Sequence, residues 1–492
     1  MAAKILKNAE NWKHLAQWNG QGFYDLRTED LGDVPVRLFL TSNLLKEAED
    51  ILYRQIVNAT RFPGVKLVII TPDTHFGYGV PVGCVLITDV DGGAIAMGPV
   101  GYDIGCGMMS ARSTVRAELA TPEKKLKFNR AVMERVEMGA GGKSHRFGEL
   151  SKSEFNDLVR GGAEFYVDKY GAAFDRSRAE RHRIPVDDDW DIPWGGRGRP
   201  ERGLNQLGSL GGGNHFIELQ RAEETGTLFV QVHTGSRGFG HGLATNYFEL
   251  ARENRPGEMK DLDLGYFTPD SIYYKDYLNA VAAGGNYAIL NRLIIFEQVS
   301  AAFKEVFRQE LELVYEISHN LVQRELNPEL GEVWVHRKGA TRAFPAHHPS
   351  LVGTLWEETG HPVLIPGSNK DYSYILQPLA GAANSGYSVN HGAGRRLSRG
   401  EANRTLSQRK MDDEYKAAGI LVNLDGRVPL DEAAPAYKSS EEVIRAVVEA
   451  GLAEVKYTLW PLASLKGVDE RKGARRTRPK DNVKEKRTTR HF

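Results

Sequence analysis

Short apolar, β-branched runs recur along the chain, and glycine-rich stretches lie between them. VKLVII (65–70), CVLIT (84–88), LFVQVH (228–233), LVYEISH (313–319), EVWVH (332–336) and PVLIP (362–366) read as strands. The clusters HFGYGVPVG, DGGAIAMGPVGYDIGCG, GSLGGGNHF, HTGSRGFGHG and HGAG read as the loops they feed. Apolar residues return at helical spacing over 121–138, 286–308 and 440–453. Residues 173–203 are charged and rich in Pro and Gly, so a surface insertion is expected there. No internal repeat of fixed period is present. The glycine loops spread from 75 to 395, which favours one site drawn from distant segments over a string of modules. The expected architecture is α+β: a large single domain with mixed and antiparallel sheets around a central cleft.

Bulk properties narrow the class. With 492 residues, 41% of them hydrophobic, the chain can bury a large core. No stretch approaches the roughly 20 apolar residues that cross a bilayer. The N-terminal MAAKILKNAENWKHLAQW mixes charge and apolar residues too early for a signal-peptide core, so a cytoplasmic protein is expected. Two cysteines, Cys84 and Cys106, argue against a disulfide framework. Net charge is zero but unevenly spread: residues 471–492 hold ten Lys/Arg against two Asp/Glu. A basic tail behind an acidic body suits a polyanionic partner.

One motif is a decoy. EMGAGGKS (137–144) mimics a P-loop, but Glu137 stands where the first glycine is required and a helical run precedes it. The real candidates lie elsewhere. GYDIGCG sets Asp103 and Cys106 three apart in a glycine-bounded turn, where a carboxylate and a thiolate can converge on a borderline divalent ion. His215 follows the run GGGN, His233 ends LFVQVH, and His319 ends LVYEIS; histidines at such positions are well placed as ligands. His347 and His348 in PAHHP, and His491, read as surface residues, while His75 and His241 stay open. In VNHGAGRRLSR, His391 precedes a backbone stripped of side chains, with arginines behind it. Bare N–H groups and guanidinium forks suit phosphate. The histidine there reads as a general acid, a metal ligand or a nucleophile.

PDTHFGYGVPVG, GYDIGCG, LGSLGGGNHFIEL, VHTGSRGFGH, HRKGATRAFP, PVLIPGS, HGAGR and PLASLKG occur in the order seen in the RtcB-type RNA-splicing ligases, which this chain resembles from about residue 60 to Gly467. The resemblance implies a catalytic domain over 1–467 and a basic tail over 468–492. It implies an enzyme that uses GTP and two Mn²⁺ ions to join an RNA 3′-phosphate or 2′,3′-cyclic phosphate to a 5′-hydroxyl, in tRNA splicing or RNA repair. By the same resemblance, Cys106 is shared by both ions, Asp103 and His215 complete one shell, and His233 and His319 the other. His391 is the nucleophile that takes GMP. Asn214 touches the nucleotide phosphate, and Glu218, Ser373, Tyr437 and Lys466 hold the guanine. Ala393 and Gly394 sit beside ribose and phosphates, and Arg237, Arg395 and Arg399 handle phosphate or RNA. An archease-type activator is a further implied partner.

Some positions depart from the family pattern. Asn369 and Lys370 follow PVLIPGS where Met-Gly is usual, placing a charge near the expected guanine site, and Gly105 replaces a common Asn. Two other readings compete. A metal-dependent phosphoesterase would open cyclic phosphates without ligation, and a non-catalytic RNA-binding protein would need no intact ligands.

Overall fold

The computed structural model describes residues 6–171, 174–178, 183–254 and 261–467. Two large sheets carry the fold. The first runs Ala16–Trp18, Tyr24–Leu26, Val36–Leu38, Val65–His75, Val82–Asp89, Gly331–Lys338 and Asn320–Asn327. Its one parallel pair is Val36–Leu38 with Val65–His75. The second runs Glu312–Ser318, Gly107–Arg116, Thr227–Thr234, Phe216–Ala222, Ala453–Lys466, Ser373–Pro378 and Val363–Ile365. Leu421–Val422 joins Ala453–Lys466 in parallel. The mixed, largely antiparallel α+β architecture is therefore as expected, and each apolar run read as a strand overlaps one.

Helix starts follow local chemistry. Thr121, Ser151 and Ser439 accept the N–H three residues on, and Pro122 occupies a first-turn position of Pro122–Met133. The longest helix, Tyr274–Phe307, is buried along most of its length. Such an element belongs in a core rather than on a surface.

Alternation along the strands decides which face meets that helix. In Thr227–Thr234, Leu228, Val230 and Val232 pack against Ile289, Leu293 and Phe296 of the helix. Phe229 joins a separate cluster with Met108 and Phe216. His233 shares Phe229's parity, so the helix buries the sheet's apolar face and leaves the histidine on the other. The two sheets meet across a cluster in which Leu67, Ile69, Val85 and Ile87 face Val363, Ile365, Tyr374 and Leu376.

Within 173–203, the described part is irregular but anchored. Val186, Trp190 and Ile192 are buried in the helical core beside Phe155 and Tyr247. The basic tail, 468–492, and His491 within it lie outside the described residues. Among the described residues no helix is long and apolar enough to cross a membrane.

Candidate active site

A cleft of about 580 Å³ opens where the ends of the two sheets meet. Cys106, Phe216, His233 and Lys466 reach it from the second sheet, and His75, Val82, Asn320 and Lys338 from the first or its flanks. The Asp103–Cys106 turn closes with Cys106 N–H donating to Asp103 O at 3.1 Å. Gly105 takes φ +73°, and an added Cβ would stand 2.7 Å from Ala288 Cβ. A larger side chain at this position would collide here.

Three imidazoles converge on this turn. Cys106 Sγ lies 3.3 Å from His233 Nε2 and 3.5 Å from His215 Nε2. His215 Nε2 is 3.1 Å from Asp103 Oδ2, and His233 Nε2 is 3.4 Å from His319 Nε2. The donor atoms fall into two overlapping groups, Asp103–Cys106–His215 and Cys106–His233–His319, each within 4.8 Å. The outer nitrogens are tied back: His215 Nδ1 to Leu210 O and His233 Nδ1 to Asn214 O, both at 3.1 Å. That arrangement turns the Nε2 lone pairs toward the sulfur. Burial pushes His233 and His319 well below the ordinary imidazole range, which keeps them neutral. Burial and the Asp103 carboxylate push the Cys106 thiol up. Burial also raises Asp103, but the hydrogen bond and charge of His215 outweigh it and hold the carboxyl at about 2. Three imidazoles, one carboxylate and a central sulfur form a donor set that fits a pair of borderline divalent cations sharing the sulfur. A bound cation would reverse the thiol's direction and make it a thiolate.

His391 stands beside this centre, its ring 4.7 Å from that of His319. Its Nδ1 meets Asp73 Oδ2 at 2.6 Å, and its backbone N–H donates to the same oxygen at 3.2 Å. Thr71 Oγ donates to the other oxygen of Asp73 at 2.6 Å. Burial raises Asp73, yet His391 overcomes this and holds the carboxyl below its usual value. A carboxylate on Nδ1 fixes the proton there and leaves Nε2 free to attack. Gly394 has φ +79°, and a Cβ there would come within 2.1 Å of Asp73 O, so only glycine lets the HGAG loop lie against this strand.

A buried arginine knits the segments together. Arg292, on the long helix, is fully buried. It donates to Glu316 at 2.5 Å, Gly105 O at 2.7 Å, Thr234 O at 2.9 Å and Ser318 Oγ at 2.7 Å. Those acceptors adjoin Cys106, His233 and His319.

A family model described as tRNA-splicing ligase RtcB matches residues 55–467. The chain belongs to the RtcB family. It is 36% identical to the tRNA-splicing ligase RtcB of Pyrobaculum aerophilum, over 88% of this chain and 95% of that protein. The corresponding protein of Thermococcus kodakarensis is 35% identical over the same shares. The RNA-splicing ligase RtcB of Mycobacterium tuberculosis is 36% identical, over 84% of this chain and 100% of its own length.

The remaining positions that the RtcB resemblance singles out divide in two. Asn214, Ala393, Gly394, Arg395, Arg399, Tyr437 and Lys466 line the cleft with His391. Glu218, Ser373 and Arg237 do not. Gln220 Nε2 joins Glu218 at 2.8 Å to Ser373 at 3.1 Å, and Gly367 N–H donates to Ser373 Oγ, so this pair lies just behind the Pro366–Ser368 wall. Burial raises Glu218 to about 7. Arg237 is buried, with Nε on Ser209 at 3.2 Å and Nη2 on Gly139 O at 3.0 Å.

Glu432 and Asp73 were not legible as site residues. Glu432 is the buried carboxylate on which Arg395, Arg399, Tyr437 and Lys466 converge. Burial raises it, but Lys466 and Arg399 overcome this and keep it below its usual value. Nothing local in PLDEAAPAY marks it, and Asp73, second in the motif PDTHFG, has only that motif to draw attention to it. Lys370 is turned aside: its Nζ pairs with Glu414 at 2.7 Å over the Tyr415 ring, away from the cleft lining. His75 lies on the lining, its Nδ1 3.0 Å from Asp73 O. One surface expectation is corrected. His348 is buried, its ring stacked 3.8 Å from that of Phe344 and edge-on to Tyr387, whereas His347 is exposed. Imidazole is flat and apolar on its faces, so an aromatic neighbour can bury it.

Proposed function

We propose that this chain is a cytoplasmic RNA ligase that uses GTP and manganese to join RNA 3′-phosphate or 2′,3′-cyclic phosphate ends to 5′-hydroxyl ends, through a guanylylated His391. Family membership supports RNA ligation. The observation that carries the finer reading is the Asp73–His391 hydrogen bond, set against two overlapping ligand groups that share Cys106. Asp103, Cys106 and His215 would hold one manganese ion, and Cys106, His233 and His319 the other. Bound there, the ions would neutralise phosphate charge and activate a water or hydroxyl.

The chain's own residues account for the rest. His391 Nε2 attacks the α-phosphorus of GTP, a P–N bond forms and pyrophosphate leaves. Asp73 keeps the Nδ1 proton and stabilises the positive charge that develops on the ring. Arg395, Arg399 and Lys466 supply cations along the path of the phosphates, while the backbone from Gly392 to Gly394 admits them closely. An RNA 3′-phosphate oxygen then displaces His391 from the guanylyl phosphorus. The 5′-hydroxyl attacks the activated RNA end and GMP leaves. A cyclic phosphate is first opened by water.

The test is incubation with α-labelled GTP and Mn²⁺, followed by a denaturing gel. Acid-labile label on the protein, absent from His391→Ala, is the expected result. Opening of a cyclic phosphate with no label on the protein would establish the phosphoesterase instead.

A further inference from the structure

The turn between strands Val65–His75 and Val82–Asp89 displays two aromatic rings for which the chemistry above has no use. Phe76 is 51% exposed and Tyr78 66% exposed, and both line the cleft that holds His391. Exposed rings on a loose loop would be unremarkable. Side chains fasten this loop at several of its backbone carbonyls and at two of its N–H groups. Lys438 binds Thr74 O, and Glu49 accepts from Phe76 N–H at 3.1 Å. Gln55 takes both groups of Gly77, at 3.1 Å and 2.5 Å. Lys338 donates to Tyr78 O at 2.6 Å and Val80 O at 3.1 Å, and Asn58 donates to Gly79 O at 2.8 Å. The flanking glycines leave no slack: a Cβ on Gly77 would meet Val80 O at 2.5 Å, and on Gly79, at φ +71°, Asp263 O at 2.8 Å. Tyr78 is braced edge-on by Tyr102 at 6.3 Å, and Tyr102 stacks on Phe248 at 4.7 Å.

We propose that Phe76 and Tyr78 form a stacking platform for an unpaired RNA base next to the end that reacts at His391; this rests on the ligase reading above. Committing five polar side chains, Gln55 and Lys338 among them buried, to hold two rings in water makes physical sense when the rings have an occupant. A base stacks on an aromatic face whatever its identity, which suits an enzyme that must position many strand ends. Because the platform is already rigid, little ordering entropy is lost on binding. The platform belongs to the first sheet, whereas Phe216 and Lys466 approach the cleft from the second. Strand end and nucleotide thereby occupy separate walls.

The test uses the full-length chain, GTP, Mn²⁺ and a single-stranded RNA carrying 2-aminopurine at its terminal nucleotide. In the wild type, stacking quenches the probe. In Phe76→Ala/Tyr78→Ala the quenching is lost and KM for RNA rises about 10- to 100-fold. The slope of log KM against log salt stays the same, because no phosphate contact is removed. Guanylylation of His391 by GTP also stays the same, and Phe76→Trp/Tyr78→Trp restores both quenching and KM. Unchanged quenching and KM in the alanine variant would overturn the proposal. So would a loss of guanylylation in that variant, since the rings would then serve the nucleotide or the loop. If the wild type never takes the guanylyl group, the ligase reading fails, and the quenching comparison still decides the platform by itself.

Discussion

At the scale of single residues, His391 and Glu218 illustrate two ways in which burial tunes a side chain. His391 owes its orientation to Asp73, whose oxygen bonds both its ring and its backbone N–H. Asp73→Asn keeps the shape but allows the ring proton to sit on Nε2, the atom that must attack. Guanylylation is expected to slow by on the order of 10²-fold or more, with the melting temperature little changed; quench-flow with labelled GTP measures the rate. Glu218 presents the reverse case, because burial has lifted its carboxyl to about 7 from 4.5. The folded protein therefore holds this proton between about pH 4.5 and 7 while the unfolded chain releases it. Stability contributed by this site falls as pH rises through that window and is level above it. Glu218→Gln removes the fall. Its stability relative to wild type is expected to climb by on the order of 2–3 kcal/mol between pH 5 and 8, read by denaturant unfolding at each pH. A difference that does not vary with pH would show Glu218 to be ionised throughout.

At the scale of elements, Arg292 matters because it ties a helix to three strand ends at once. The helix Tyr274–Phe307 supplies the cation, and its acceptors flank the turn and strands that carry Cys106, His233 and His319. Arg292→Met would remove the guanidinium that pairs with the buried carboxylate of Glu316. A cost of about 3–5 kcal/mol is expected, measured by chemical denaturation. The local pattern gives this helix its apolar faces but does not explain a charge in the middle of them. The same holds for the strand Thr227–Thr234. Its apolar run was readable, and alternation implies two faces, but which face meets the helix depends on the packing of Leu228, Val230 and Val232. The charged stretch 173–203 shows the limit of composition. Its Pro, Gly and charges hide three residues, Val186, Trp190 and Ile192, that reach the core.

At the scale of the whole molecule, the candidate metal centre gathers donor atoms from 103 to 319 in sequence, and His391 adds a further segment. A cation bound there links segments that unfolding would separate by long loops. Mn²⁺ at a hundred times its dissociation constant is expected to stabilise the chain by about 2.7 kcal/mol, seen as a rise in melting temperature that chelator reverses. Cys106→Ala should abolish most of that rise, since both ligand groups share the sulfur. An undiminished rise would place the cation elsewhere.

The sequence by itself determined the strands, the glycine loops and the identity of the turns that carry the candidate donor atoms, because those depend on local spacing and on side-chain chemistry. It also singled out His391 as a candidate, because the residues that follow it are stripped of side chains. Only the tertiary structure decided that Asp73 and Glu432 stand beside the candidate site, that Arg237 and Lys370 are absent from the cleft lining, and that His348 is buried. Each of those outcomes depends on a partner 4 to 318 residues distant. Burial, hydrogen bonding and charge pairing are set by neighbours in space, and a linear string does not say who those neighbours are.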